Sequence, residues 1–251
     1  MAELFDPGLF DEDYLYFYDE ILSAERSDAE TQAIVELGGL RPGMEVLDAP
    51  CGHGRLSNRL AERELRVTGL DASSLFLEVA RKDAADRGVD VDYVEGDLRE
   101  IPWEGRFDAL VNWFTSFGYF DDETNREILR GFRRALKPGG RLLLDTVNRE
   151  RVLRVQAALP PGRPATFLAE VGDDLMVDNV DFDPSTGCTV TERIIVRAGR
   201  VRRVHFAVRT FTVPELRDWL IDAGFSAFDA LGDDGQPFTI DSGRLVIVAT
   251  A

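Results

Sequence analysis

The chain has 251 residues, 46 acidic against 29 basic side chains for a net charge of −17, and a hydrophobic fraction of 44%. That length suits one large α/β domain, or one with a modest insertion, and can bury a core that needs no staples. The acidic field repels phosphate backbones and anionic membranes, so neither nucleic acid nor membrane is an expected partner, and Lys82 and Lys137 as the only lysines leave Schiff-base chemistry few candidates.

No run approaches the roughly 18 apolar residues of a membrane span. Met1 to Asp6 lacks the basic start and apolar core of a signal peptide, which predicts a cytoplasmic protein. Cys51 and Cys188 are far apart and outside metal-type spacing, so two free thiols are expected.

Residues 7 to 24, with aromatics between Asp11 and Tyr18, read as a short helix or lid. Ser27-Asp28-Ala29-Glu30 is a capping-box pattern, placing a helix start at Ser27 and its end at Gly38-Gly39. Short strands and helices then alternate. Strands are expected at Met44–Asp48, Arg66–Asp71, Val91–Glu95, Phe107–Asn112 and Arg141–Thr146. Helices are expected at Leu56–Glu64, after Ser73 and at Asp122–Leu136. The helix after Ser73 would bury Leu75, Phe76, Val79, Ala80 and Ala84. Such alternation argues for a mostly parallel sheet with helices on both faces. A helix from Asn148 to Leu159 precedes four hairpin-linked strands: Thr166–Val171, Leu175–Phe182, Thr189–Arg197 and Val201–Phe211. The α/β rhythm returns with a helix at Pro214–Ala223 and strands at Phe225–Leu231 and Arg244–Ala249.

The first strand runs into Asp48-Ala49-Pro50-Cys51-Gly52-His53-Gly54. Two glycines permit a sharp turn and close backbone approach, and the next helix offers free N–H groups. Alone, this is a bare tight turn or part of a nicotinamide-dinucleotide fingerprint, whose third glycine would fall at Ser57. Asp48 disfavours a pyrophosphate and suits a ligand carrying an ammonium group. Asp71 ends the second strand, where an acidic residue accepts from ribose hydroxyls. Glu95-Gly96-Asp97-Leu98 ends the third, and Leu136-Lys137-Pro138-Gly139-Gly140 precedes the fifth.

This ordered set resembles the class I S-adenosylmethionine-dependent methyltransferase family (EC 2.1.1.-) over residues 30 to 150 and 213 to 251. The resemblance implies an α/β fold, a Rossmann-like seven-stranded mostly parallel sheet with helices on both faces, plus an antiparallel β insertion as a cap. It implies S-adenosyl-L-methionine as cofactor and S-adenosyl-L-homocysteine as product. Three units follow: a helical lid over 1–40, a cofactor-binding unit over 41–150 and 213–251, and a cap over 151–212 for substrate or dimerisation. Asp48 and the loop Ala49, Pro50, Cys51, Gly52 and Gly54 would hold the methionine end, and Asp71 the ribose diol. Asp97, after Gly96, would accept from the adenine amine, with Ala72 and Leu98 against its ring; Asn112 and Phe114 would lie near the sulfonium. Two alternatives stay open: Asp97 as a turn cap and Asn112 as a strand-end hydrogen-bonder. His53 departs from the family's usual small residue and reads as a solvent-edged loop residue.

The aromatic stretch Trp113 to Phe120, with Trp113, Phe114 and Phe117, reads as a pocket-lining loop, or as rings packed beneath the next helix. Tyr14 and Tyr18 read as lid residues over the cofactor, or as packing. Base candidates are Tyr14, Tyr119, His205 and Asp145, none of them decisive. The Asp233-Asp234 pair reads as a solvated turn, and no metal is expected. The leading reading is methyl transfer to N, O or C of a small metabolite such as a natural-product intermediate, with a homodimer as an option. The competing readings are a protein methyltransferase, a nicotinamide-dependent oxidoreductase and a non-catalytic binding protein.

Overall fold

The computed structural model describes residues 7–251, so the expectations for Met1 to Asp6, at the start of the lid and as a non-signal segment, lie outside the described residues. A 3₁₀ turn (Pro7–Leu9) leads into α1 (Glu12–Tyr18), which Asp11 caps by accepting from the amides of Asp13 and Tyr14. Helix α2 (Ala24–Gly38) starts a turn earlier than its capping-box pattern suggests. Ser23 is the N-cap and accepts from Arg26 N at 3.3 Å; Ser27 is buried inside the helix and donates to Leu22 O. Ser27 is drawn into the helix because its side chain is buried and its hydroxyl is spent on Leu22 O. The helix ends at Gly39 in the left-handed region, as expected.

The α/β alternation follows as β1 (Glu45–Asp48), α3 (Arg55–Ala61), β2 (Arg66–Asp71), α4 (Ser74–Arg87), β3 (Asp92–Glu95), β4 (Phe107–Asn112), α5 (Asp122–Ala135) and β5 (Leu136–Val147). Ser73 caps α4 as expected, but the buried face is Phe76, Leu77, Ala80 and Ala84; Leu75 and Val79 sit at its edge. β5 is longer than expected: the Lys137–Gly140 turn is absorbed into the strand, with a register shift opposite Phe107 and Ala109.

After α6 (Arg149–Ala157) the chain forms β6 (Ala165–Val171), β7 (Asp174–Asp183), β8 (Cys188–Arg197) and β9 (Arg200–Arg209). It then closes with α7 (Val213–Asp222), β10 (Ala227–Leu231) and β11 (Arg244–Thr250). The main sheet has seven strands in the order β3-β2-β1-β4-β5-β11-β10, parallel except where β11 pairs with β5 and β10. One face packs Leu110, Ile128, Phe132, Leu144 and Trp219 against α5 and α7, and the other packs Val46, Leu56, Leu60 and Leu143 against α2 and α3. Strand order reverses between β1 and β4, so a crevice opens beyond their carboxyl ends.

β6 to β9 form a separate antiparallel four-stranded meander. Side chains alternate between its faces. Ala165, Phe167, Asp178, Val180, Thr191, Arg193 and Phe206 face the crevice, while Leu168, Val190 and Val201 are exposed. The N-terminal segment is strapped to this sheet. Arg197 and Arg202 pair with Asp13 at 2.8 and 2.7 Å, Arg202 also reaches Asp11, and Phe17 packs on Met176 and Ile195. Among the described residues no helix is long and apolar enough to cross a membrane.

Candidate functional site

The loop after β1 is built by backbone geometry. Ala49 N donates to Val111 O and Cys51 N to Leu70 O, each at 2.9 Å, so the loop is stitched to both neighbouring strands. Gly52 and Gly54 take φ of 55° and 78°, a region costly for residues with a Cβ. Gly54 caps α3 against α4 and β3; a Cβ there would overlap the Tyr93 hydroxyl and lie 2.7 Å from Ala80 Cβ. Gly54→Ala is therefore expected to destabilise the fold by about 3 kcal/mol or more, combining left-handed strain with overpacking. Urea denaturation checks this; a change under 1 kcal/mol would refute it.

Carboxylates stand at the strand ends. Asp48 is buried and accepts from Ser57 Oγ at 2.6 Å, and burial pushes its carboxyl up to about 7. Ser57, the position lacking the dinucleotide glycine, thus holds the acid. Asp71 accepts from Gly52 N at 2.7 Å and Ser73 N at 2.8 Å, tying the loop after β1 to the end of β2; burial raises its carboxyl too. Asp97 is gripped by Arg99, which donates from its backbone and guanidinium and holds the carboxyl below its ordinary range.

These groups open on a cavity of about 730 Å³. Its sheet-side wall brings together Asp48, Pro50, Cys51, Gly52, Asp71, Ala72, Gly96, Asp97, Leu98, Trp113 and Phe114, with Tyr14, Tyr18 and Tyr119 alongside. The other expected residues stand elsewhere. Gly54 packs beneath the loop. Ala49 and Asn112 are sealed from solvent, and Asn112 donates to Ala49 O at 2.8 Å, so Asn112 shapes the loop as a strand-end hydrogen-bonder. Phe117 is a correction: it stacks on Phe211 in the core, with ring centroids 5.4 Å apart, because the chain turns back at Gly118 to pair with Arg209. His205 is another: its place in β9 points it to the outer face, 68% exposed and 3.8 Å from Glu192. Asp145 is buried and committed to an ion pair with Arg244. His53 lines the cavity and is partly exposed, and burial with the nearby Arg55 cation lowers it to about 4, so it is neutral. The Asp233 carboxylate accepts from the amides of Gly243 and Arg244, a turn as expected. Both cysteines are free thiols.

The opposite wall carries what sequence reasoning missed. On the cap, Arg193 is buried and donates to Asp178 at 2.7 and 2.6 Å and to the Tyr18 hydroxyl at 2.8 Å. Tyr18 stacks on Tyr14, centroids 4.2 Å apart and 12° from parallel, and Tyr14 meets Phe76 of α4 at 5.5 Å. Burial raises the phenols of Tyr14, Tyr18 and Tyr119, which stay protonated at neutral pH. Helix α6 adds Arg151, Val152, Val155 and Gln156. The period-two pattern Thr189, Thr191, Arg193 marks one strand face, but nothing in it tells which face meets the cavity.

The loop after β4 is strained. Phe114 and Thr115 have φ of 60° and 57°, adjacent residues in the left-handed region, each at a cost on the order of 1–3 kcal/mol.

Comparison with known proteins agrees with this architecture. A family model described as "Methyltransferase domain" matches residues 46–140. The cypemycin N-terminal methyltransferase of a Streptomyces species is 30% identical over 249 residues, covering 97% of this chain and 98% of that protein. A solved S-adenosylmethionine-dependent methyltransferase from Clostridium acetobutylicum shares the fold at a TM-score of 0.77, 16% identity and 95% and 97% coverage. CalS10 from Micromonospora echinaspora, an amino pentose methyltransferase solved with S-adenosylmethionine bound, matches at 0.67, 20% identity and 98% and 99% coverage. With end-to-end similarity to one such enzyme and the loop and sheet order in place, the chain belongs to the class I S-adenosylmethionine-dependent methyltransferases.

Proposed function

We propose that the protein moves a methyl group from S-adenosylmethionine to an amine of a small molecule, a natural-product intermediate being the class its cavity suits. The observation that carries this reading is a cavity of about 730 Å³ with strand-end carboxylates on one wall and the cap's mixed polar and aromatic side chains on the other. The donor set fits the cofactor: S-adenosylmethionine presents an ammonium group, a ribose diol and an adenine amine, and Asp48, Asp71 and Asp97 are acceptors. In this reading Asp48 with Pro50, Cys51 and Gly52 takes the methionine end, Asp71 the diol, and Asp97 the adenine amine with Ala72 and Leu98 beside it. Residues 1–40 act as lid, 41–150 and 213–251 as cofactor unit, and 151–212 as cap. A cytoplasmic setting, and pairing of two copies through the cap's exposed Leu168, Val190 and Val201, belong to the same proposal.

The bound cofactor supplies an electrophilic methyl group; the chain supplies alignment, which accounts for much of the rate of such a transfer. Burial in the cavity disfavours an ammonium and keeps the acceptor nitrogen's lone pair available. The protonated phenols of Tyr14, Tyr18 and Tyr119 accept an N–H and aim that lone pair without removing a proton. Amine acceptors are supported by the cypemycin enzyme, which is named as an N-terminal methyltransferase. The end-to-end similarity to that enzyme favours a second reading, the α-amine of a peptide.

The test incubates the protein with methyl-deuterated S-adenosylmethionine and panels of amino sugars, other small amines, phenols and short peptides, read by mass spectrometry. Methylated small amines are expected. Labelled peptide N-termini alone would select the second reading, and labelled phenols without amines would overturn both.

A further inference from the structure

The strained loop after β4 is held by a device that the transfer itself does not require. Phe114 and Thr115 both line the cavity, and both sit in the left-handed region without glycine's freedom. A β-branched residue there is a genuine outlier, and such strain persists only where the surroundings over-determine it. The surroundings here are an ion pair from two other strands, a buried carboxylate with a partly exposed guanidinium. Asp145, in β5, accepts from Phe114 N through Oδ2 at 2.8 Å, and its backbone carbonyl accepts from Thr115 N at 3.1 Å. Arg244, at the start of β11, donates to both Asp145 oxygens and to the Thr115 hydroxyl. Its guanidinium also lies 5.8 Å from the Phe114 ring centre, and Arg26 and Arg55 approach that ring at 4.9 and 5.4 Å. Every polar hold on the two strained residues named here thus runs through Asp145 and Arg244.

We propose that Asp145 and Arg244 are positioning residues, which hold Phe114 and Thr115 in their strained conformation so that this loop forms the wall against which S-adenosylmethionine is seated. This rests on the cofactor assignment of the cavity made above. Asp145 stands behind the cavity wall and Arg244 at its edge; neither is placed in contact with the reacting atoms, and both act through the loop. Lys at 244 keeps the charge beside Asp145 but lacks the planar fork that reaches the carboxylate and Thr115 together. Glycine at 115 removes the penalty the clamp opposes.

The experiment measures S-adenosylhomocysteine binding by calorimetry for the intact chain and for Arg244→Lys, Thr115→Gly, Arg244→Lys/Thr115→Gly and Thr115→Val. Arg244→Lys is expected to weaken binding about tenfold, the equivalent of one strained residue released. Made in the Thr115→Gly background, the same Arg244→Lys change should cost no more than half the binding free energy it costs in the intact chain. Unchanged affinity in Arg244→Lys, or a loss that Thr115→Gly does not relieve, overturns the proposal. If Arg244→Lys does not fold, Thr115→Val decides: it keeps the branched side chain and its strain but loses the hydroxyl held by Arg244. Weaker binding than Thr115→Gly supports the clamp, and equal binding overturns it. Absence of binding in the unmodified chain would instead defeat the cofactor assignment, which separates the two failures.

Discussion

Asp71→Ala is expected to weaken S-adenosylhomocysteine binding by at least about 100-fold while the protein stays folded. In the proposed site the carboxylate accepts both ribose hydroxyls, and hydrogen bonds to a charged acceptor contribute about 1.5–3 kcal/mol each, so losing two exceeds the roughly 2.7 kcal/mol of a 100-fold change. The substitution also removes the acceptor for Gly52 N and Ser73 N, which frees the loop after β1 from the end of β2. Asp71→Asn, which keeps one oxygen acceptor but loses the charge, should fall between the alanine variant and the unmodified chain. Calorimetry with S-adenosylmethionine, S-adenosylhomocysteine and the nicotinamide dinucleotide in parallel is the check. Undiminished adenosyl binding in Asp71→Ala would remove Asp71 from the site, and binding of the dinucleotide alone would overturn the cofactor assignment.

Cofactor affinity should also rise with pH through about 7, because Asp48 is buried and its carboxyl lies near that value in the ligand-free protein. An ammonium group beside it favours the ionised form, so binding below about pH 7 must expel a proton. Affinity then rises by up to about tenfold per pH unit on that side and levels off above it. Calorimetry between pH 5.5 and 8, in buffers of different ionisation enthalpy, reads both the slope and the released proton. Asp48→Asn should bind more weakly and with a flat profile; a flat profile in the unmodified chain would show that Asp48 does not face the ammonium. The same group bears on stability with the opposite sign from an ion-paired carboxylate. Its folded value lies above the ordinary 3.8, so between about pH 4 and 7 the native state holds the extra proton. Asp48's contribution therefore favours folding at the acid end of that window and declines as pH rises through it.

What the sequence by itself determined was everything governed by neighbours along the chain. The strand–turn–helix around Val46 to Gly54 was legible because a tight turn demands glycine-like backbone, and Asp48 and Asp71 were legible because they end alternating apolar strands. The caps at Ser73 and Gly39, the hairpin turns of the cap and the α/β rhythm follow from the same local rules. Tertiary structure decided where several local signals agreed equally well. Ser27 suits a helix start, yet packing buried it inside a helix that Ser23 caps. Aromatic residues from Trp113 to Phe120 suit a core or a pocket equally, and pairing of Gly118 with Arg209 sent Phe117 to the core and left Phe114 at the cavity. His205 and Arg193 sit in neighbouring strands, and the register between β8 and β9 turned one outward and the other into the site. The buried networks were invisible along the chain: Arg193 meets Tyr18 across 175 residues, and Arg244 meets Asp145 across 99. Contacts closed over such loops carry no local pattern, because their partners are chosen by how the lid, cap and sheet pack and not by the preferences of either residue.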